Sequence, residues 1–263
     1  MPGGLISALA QQVYLHVLSR KRPSRRRMAS PDDNGRVLDC CIAYNRHGAY
    51  CVPLSSRHRP AAQRILSGAV YEAATIDFLA THCGTGDVVH AGTYFGDFLP
   101  ALARACAPGA RVWAFEPNRE SFRCALVTTH LNGLDNVELT HAGLGEGEGA
   151  CVLKVREAGR ALGGASHVVG AAAATTAAGT ERARIVALDE VIPEDRRISV
   201  VHLDVEGYET PALTGALRTI ARCSPVVVVE RLPEAAWLAE NLIARGYRVG
   251  PEIQGNTVLT PGC

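Results

Sequence analysis

From residue 85 onward the chain repeats one pattern: a short apolar run, a polar turn, then a stretch whose apolar positions fall three and four apart. The apolar runs are Asp87–Gly92 (DVVHAG), Arg111–Pro117 (RVWAFEP), Asn136–Leu144 (NVELTHAGL), Ile198–Val205 (ISVVHLDV) and Ser224–Glu230 (SPVVVVE). Runs as apolar as VVVV belong to strands buried on both faces. Phe98–Cys106, Arg119–Asn132, Tyr208–Arg222 and Pro233–Gly246 carry the helical period between them, and Tyr247–Gly250 and Asn256–Thr260 complete seven strands. Alternation of this kind predicts an α/β fold, a mostly parallel seven-stranded sheet with helices on both faces, whose edge the final strands can close in antiparallel sense.

Ahead of this unit, Cys41–Leu54 reads as a hairpin with NRHG at its turn, and Ala61–Cys83 as helix, broken near Gly68. Leu5–Leu18 has the pattern of a short amphipathic helix, and the basic run RKRPSRRR (Arg20–Arg27) follows it. The expected organisation is an N-terminal helix and basic linker (1–35), a hairpin and helical cap (36–84), and the α/β domain (85–263). The Ala/Gly/Thr-rich stretch 157–184 interrupts that domain as an insertion, a hairpin or lid over the site, with Ser166 and His167 as candidate acceptor contacts; the alternative is a plain surface loop.

Composition narrows the class. A chain of 263 residues with 47% apolar and 20% charged residues is an ordinary globular protein, and a formal charge of +1 gives no general reason to expect nucleic acid as partner. No apolar run reaches the roughly 18 residues of a membrane span. The basic run follows the apolar stretch, the wrong order for a secretory signal. The nine cysteines are scattered without zinc-ligand spacing, which suits reduced thiols in a cytoplasmic protein. The basic run suits weak contact with a membrane surface or an anionic acceptor, or else a solvated helix tail packed on the domain or on a second copy in a homodimer.

Ligands of such sheets bind outside the carboxyl ends of the strands, so the chemistry lies in the residues that end them. The first strand runs into HAGTYFGDF, a turn built on Gly92 and Gly96, and the second ends on Glu116, twenty residues after Gly96. That is the spacing at which an acid reaches the ribose hydroxyls of an adenosine-type cofactor. The alternative is a plain tight turn, with Glu116 capping the next helix. A dinucleotide turn needs glycines where Thr93, Tyr94 and Phe95 stand, which disfavours a pyrophosphate. The acids at the strand ends favour a cationic cofactor instead. The fourth strand ends in DVEGYE, with Asp204, Glu206 and Glu209 within six positions. Alternation puts His202 and Asp204 on one strand face.

The blocks ILSGAVYEAAT, VVHAGTYFGDF, VWAFEPN, HLNGLDNVELTHAGLGEGEG, IVALDEVI, HLDVEGYETPALTGA and PVVVVE stand in an order that resembles the FkbM-type methyltransferases over about residues 44–232. The resemblance implies the Rossmann-like class I methyltransferase fold and S-adenosyl-L-methionine as cofactor, with S-adenosylhomocysteine as product. It also implies methyl transfer to a hydroxyl of a sugar or secondary-metabolite acceptor such as a polyketide, glycoside or glycan. On this resemblance the turn from His90 through Ala91, Gly92, Thr93 and Tyr94 to Gly96 cradles the methionine end. Glu116 holds the ribose, with Pro117 and Asn118 as the wall beside it. Ala142, Gly143 and Leu144 flank the adenine, while Tyr71 and Glu72 lie against the pocket. Asp204 sits nearest the reacting methyl group as the expected base, assisted by His202 or Glu206. Mg²⁺ held by Asp204, Glu206 and Glu230 is the less favoured variant.

Two positions depart from the family pattern: His90 stands where an aspartate is usual, and His202 where a lysine is usual. They keep open the reading of a non-catalytic S-adenosylmethionine-binding protein, and the same sheet with a ribose-binding Glu116 would also serve an NAD-dependent sugar dehydrogenase. The dehydrogenase would need a hydride-site pair such as Tyr/Lys, which the sequence does not display.

Overall fold

The structure, a computed structural model, describes residues 37–171 and 177–262, and Leu38–Cys263 cluster as one compact unit. The expected helix Leu5–Leu18 and the basic run after it lie outside the described residues.

Fifteen strands are described. An N-terminal hairpin pairs β1 (Cys40–Asn45) with β2 (Gly48–Pro53) around Arg46-His47, as the NRHG turn predicts. The helical stretch after it divides into Pro60–Leu66 and Ala73–His82 on either side of Gly68. The main sheet contains β3 (Asp87–Ala91), β4 (Val112–Phe115), β5 (Val137–Thr140), β12 (Ile198–Leu203), β13 (Val226–Val229), β14 (Tyr247–Ile253) and β15 (Asn256–Pro261). Their order across it is β14-β15-β13-β12-β3-β4-β5. Neighbours are parallel from β5 to β13, and β15 is inserted antiparallel between β13 and β14. This is the predicted Rossmann-like sheet, and its topological switch point lies between β3 and β12.

Burial on both faces explains the apolar runs. Val89, Ala91, Val201 and Leu203 pack into one core cluster with Leu188, Leu213, Ile220 and Leu238. Their neighbours Val88 and Val200 point the other way, into a cluster with Ile76, Leu79, Leu99 and Ala125. A third cluster joins the hairpin to the glycine turn: Tyr50, Cys51 and Val52 pack with Ile65, Tyr94, Phe95 and Cys124. The long helix Arg119–Asn132 is fixed at both ends, by Asn118 Oδ1 accepting from the amides of Glu120 and Ser121, and by Gly133 in the left-handed conformation.

Three sequence expectations change. Asn136–Leu144 is not one strand: at Ala142 the chain turns, its amide bonding back to the Thr140 carbonyl at 3.0 Å. The remainder, β6 (Gly143–Leu144), joins a second sheet of order β10-β7-β11-β6 with β7 (Gly149–Lys154), β10 (His167–Ala171) and β11 (Thr180–Val186). Tyr208–Arg222 is two helices, Glu209–Thr214 and Leu217–Cys223, and the break falls at Gly215, where a side chain would stand 1.9 Å from the Gly145 carbonyl oxygen. Much of the bland stretch 157–184 is ordered strand: β10 and β11 both pair with β7, and β8 (Arg156–Glu157) and β9 (Arg160–Ala161) make a small hairpin.

Candidate active site

Strand register brings the site together. His202 lies beside His90 in the β12–β3 pair, so the residues that follow each strand meet at the switch point. Gly92 has φ +83°, and a Cβ there would lie 1.7 Å from the Asp204 carbonyl oxygen, so glycine is the residue that lets these two chain segments approach. Three of the six non-glycine residues with positive φ surround this point: Glu72, Tyr94 and Glu206. Such conformations cost about 1–3 kcal/mol each and persist where the surroundings impose them.

Two cavities open here. The first is lined mainly by apolar groups, among them Phe115, Leu144, Leu153, Ile185 and Tyr208, together with Gly92, Glu116, Pro117, Gly143 and Asp204. The second is the more polar of the two: Arg59, Tyr71, His90, Tyr94, Asp97, Asp204 and Glu206 face it beside Pro60, Ala61 and Phe98. Among the described residues Gly92, Gly164 and Asp204 line both, and Asp204 is the only ionisable one.

Glu116 is 5% exposed, and its two oxygens each accept a backbone amide, Oε2 from Tyr94 at 2.6 Å and Oε1 from Asn118 at 2.8 Å. These bonds fix the carboxyl between the glycine turn and the wall formed by Pro117. Burial nevertheless pushes its pKa up to about 8, against the opposing pull of those amides. A buried acceptor beside an apolar slot has the chemistry of a nucleoside site, since the base is apolar on its faces and the ribose offers hydroxyl donors.

The bulky turn residues have a structural role. Tyr94 is 4% exposed and shares a 2.5 Å hydrogen bond with Ser56 Oγ, and Thr93 Oγ1 donates to the His90 carbonyl at 3.2 Å. The first bond ties the turn to the segment after the hairpin, and the second closes the turn on itself.

Acids crowd the junction. Asp204 is held well above the usual carboxylate range, first by burial and then by Glu230, Glu206, Glu72 and Asp97. Burial and Glu230 raise Glu206 as well. One oxygen each of Asp204, Glu206 and Glu230 lies within 4.8 Å of the others, an arrangement able to hold a divalent cation. Arg231 already meets part of this charge, with Nη2 3.4 Å from Glu206 and Nε 3.8 Å from Glu230.

Of the two histidines, His90 faces the second cavity. His202, expected as base or orienter beside Asp204 or equally as a buried structural hydrogen bond, is 1% exposed and lines neither cavity. Its Nδ1 lies 2.9 Å from Nδ1 of His90, and the two rings stack with each other and with Phe98. Burial lowers the pKa of His202 to about 4 and that of His90 well below its usual value, so both rings are neutral. Asn256 comes near enough to His202 to favour the charged form slightly without completing a bond: its Oδ1 and His202 Nε2 both lack partners.

Of the other expected residues, Ala91 lines the first cavity and Tyr71 the second. Gly96 and Ala142 lie behind the lining, and Asn118 caps the long helix while its Nδ2 donates to Ser166 Oγ at 3.0 Å. Glu72 lines neither cavity, its Oε2 accepting from Asn256 at 2.9 Å. Glu209 is buried at the start of its helix, with Oε1 accepting from the Gly207 amide at 3.3 Å. The second sheet supplies lining that the sequence reading missed, Leu153, Val168 and Ile185, although the alternation TERARIV was there to be read as a strand. Asp97 was missed as well: it directly follows Gly96 and was passed over as part of the turn.

Residues 90–249 match the methyltransferase FkbM domain family. No curated protein matches the chain. Among solved structures, methyltransferase FkbM from Methylobacillus flagellatus KT is 18% identical with a TM-score of 0.45, the alignment covering 66% of this chain and 43% of that one. The chain therefore spans less than half the length of that protein. A methyltransferase from Geobacter sulfurreducens is 16% identical (TM-score 0.45, covering 79% of this chain and 86% of that one). The Pyrococcus abyssi tRNA (uracil-54, C5)-methyltransferase in complex with S-adenosyl-L-homocysteine is 14% identical (TM-score 0.43, covering 84% of this chain and 43% of that one).

Proposed function

This chain belongs to the FkbM methyltransferase family, and from that premise we propose that it is an S-adenosylmethionine-dependent O-methyltransferase acting on a hydroxyl of a sugar or secondary-metabolite acceptor. The observation that carries the reading is the position of Asp204, the acid common to a mainly apolar cavity and a more polar one.

In this reading Glu116 accepts the ribose hydroxyls, Phe115, Leu144, Leu153 and Ile185 enclose the adenine, and the turn from His90 to Gly96 borders the amino-acid end. When bound, the cofactor supplies an electrophilic methyl group on a sulfonium. The residues of this chain orient the acceptor oxygen in line with that methyl and exclude water, the source of much of the rate in a displacement of this type. Asp204 takes the hydroxyl proton onto its carboxylate. The burial that raises its proton affinity makes it a stronger base once ionised, and a cation at the junction favours the ionised form. Glu206 and Arg231 set the local charge, and Arg59 faces the acceptor side of the polar cavity.

The test is transfer of labelled methyl from S-adenosylmethionine to a panel of glycoside and polyketide alcohols. Asp204→Asn is expected to lower turnover by roughly 10²–10⁴-fold, with affinity for S-adenosylhomocysteine within about twofold of wild type. Near wild-type turnover at unchanged affinity would remove Asp204 as the base. Cofactor binding with no member of the panel methylated would favour the non-catalytic reading.

A further inference from the structure

His90 lies near the end of β3 and faces the polar cavity, and the geometry prevents it from meeting a ligand's positive charge. Its Nδ1 is committed to His202, its Nε2 is buried without a partner, and the ring is neutral. A cofactor with an α-ammonium group therefore has to find its counter-charge elsewhere in the polar cavity. Three carboxylates line that cavity: Asp97, Asp204 and Glu206. Glu206 is engaged by Arg231, and Asp204 stands at the junction of the two cavities, where the reacting methyl belongs. Asp97 is the carboxylate that remains.

Asp97 is carried by the glycine turn itself, directly after Gly96, and is 7% exposed. Among the described residues no Lys, Arg or His forms an ion pair with it. A buried acid without a cation is costly unless a ligand supplies one. Burial, with Glu72 close by, pushes its pKa up to about 7, against the pull of the backbone at Asp97 and Phe98.

We propose that Asp97 is the anchor for the α-ammonium group of the cofactor, a role that His90, paired with His202 near the end of β3, cannot fill. The proposal rests on the S-adenosylmethionine reading given above. It makes the glycine turn a two-part device: the backbone at Gly92 admits the Asp204 segment, and the side chain after Gly96 holds the amino-acid end. It also allows the buried His90–His202 pair to be a purely structural filling of the sheet face.

The experiment is a chemical double-mutant cycle by calorimetry. Wild type, Asp97→Asn and Asp97→Ser are each titrated with S-adenosylhomocysteine and with its analogue lacking the α-amino group. Wild type should lose about tenfold or more in affinity when the amine is deleted, the worth of one charge-assisted hydrogen bond. Each variant should bind S-adenosylhomocysteine about tenfold more weakly and should respond less than about twofold to deletion of the amine. If neither variant folds, the wild-type comparison still decides, since equal affinity for the two ligands overturns the proposal. Variants that keep the full wild-type response to the amine overturn it too, and place the counter-charge on another acid. Wild type that binds neither ligand would instead sink the cofactor reading on which the proposal stands.

Discussion

Two buried carboxylates at opposite ends of the sheet show how neighbours decide what an acid does. Asp87, at the start of β3, is 2% exposed. It accepts from Arg196 Nε at 2.7 Å, from Trp113 Nε1 at 2.7 Å and from the Arg111 amide at 2.9 Å, with Arg196 Nη2 on its other oxygen. Burial alone would raise its pKa, but these donors outweigh burial and hold it below the ordinary aspartate value. Glu116, equally buried but supported only by two neutral amides, moves up instead. The first arrangement is a structural clasp and the second leaves an acceptor for a ligand. Asp87→Ala strands Arg196 and the Trp113 indole, so the folded state should lose roughly 3 kcal/mol at neutral pH, measured by urea unfolding. Because the folded pKa is depressed, the contribution of Asp87 is fully present above the unfolded value near ~4 and is lost as pH falls through the folded one. The gap between wild type and variant should therefore narrow below about pH 4, and a gap constant down to pH 2 would contradict the assignment. At this scale Glu116 was legible because a glycine turn and a strand-ending acid have a recognisable spacing. Asp97 and the His90–His202 stack were not, since the first depends on the path of the turn and the second on strand register.

At the scale of elements, the close approach of the β3 and β12 exits is the most constrained feature of the site. Gly92→Ala places a methyl against the Asp204 carbonyl oxygen at a backbone angle that disfavours any side chain. The expected cost is roughly 3 kcal/mol or more, accompanied by loss of ligand affinity as Asp204 moves. Gly147→Ala, where a Cβ meets nothing within 4 Å, is the control and should change stability by less than about 0.5 kcal/mol. Equal melting temperatures for the two variants would contradict this account of the switch point. The sheet itself was readable because strands buried on both faces are almost wholly apolar, as in VVVV (226–229) and in VV and VVHL within β3 and β12. The second sheet was not, because β7 buries only alternate residues and β11 carries Glu181 and Arg182 before Ala183 and Arg184 after it. The turn at Ala142 was hidden because only His141 and Ala142 separate β5 from β6, too short a break to interrupt the apolar run.

At the scale of the molecule, a switch-point crevice between β3 and β12 is covered on one side by the N-terminal hairpin cluster and on the other by the second sheet. Among the described residues no helix is long and apolar enough to cross a membrane. What the whole fold produces is one apolar cavity with a fixed carboxylate and one polar cavity rich in acids, joined at Asp204. That pairing suits a ligand with an adenosine at one end and positive charge at the other, and it disfavours a pyrophosphate, which would meet Asp97, Asp204 and Glu206. The most direct measurement is calorimetric titration of the protein with S-adenosylmethionine, S-adenosylhomocysteine and NAD, beside Glu116→Ala. The account predicts binding of both adenosyl ligands, no binding of NAD, and affinity at least about tenfold lower in the variant. Binding of NAD in preference to the adenosyl ligands, or full affinity for them without the Glu116 carboxylate, would contradict it.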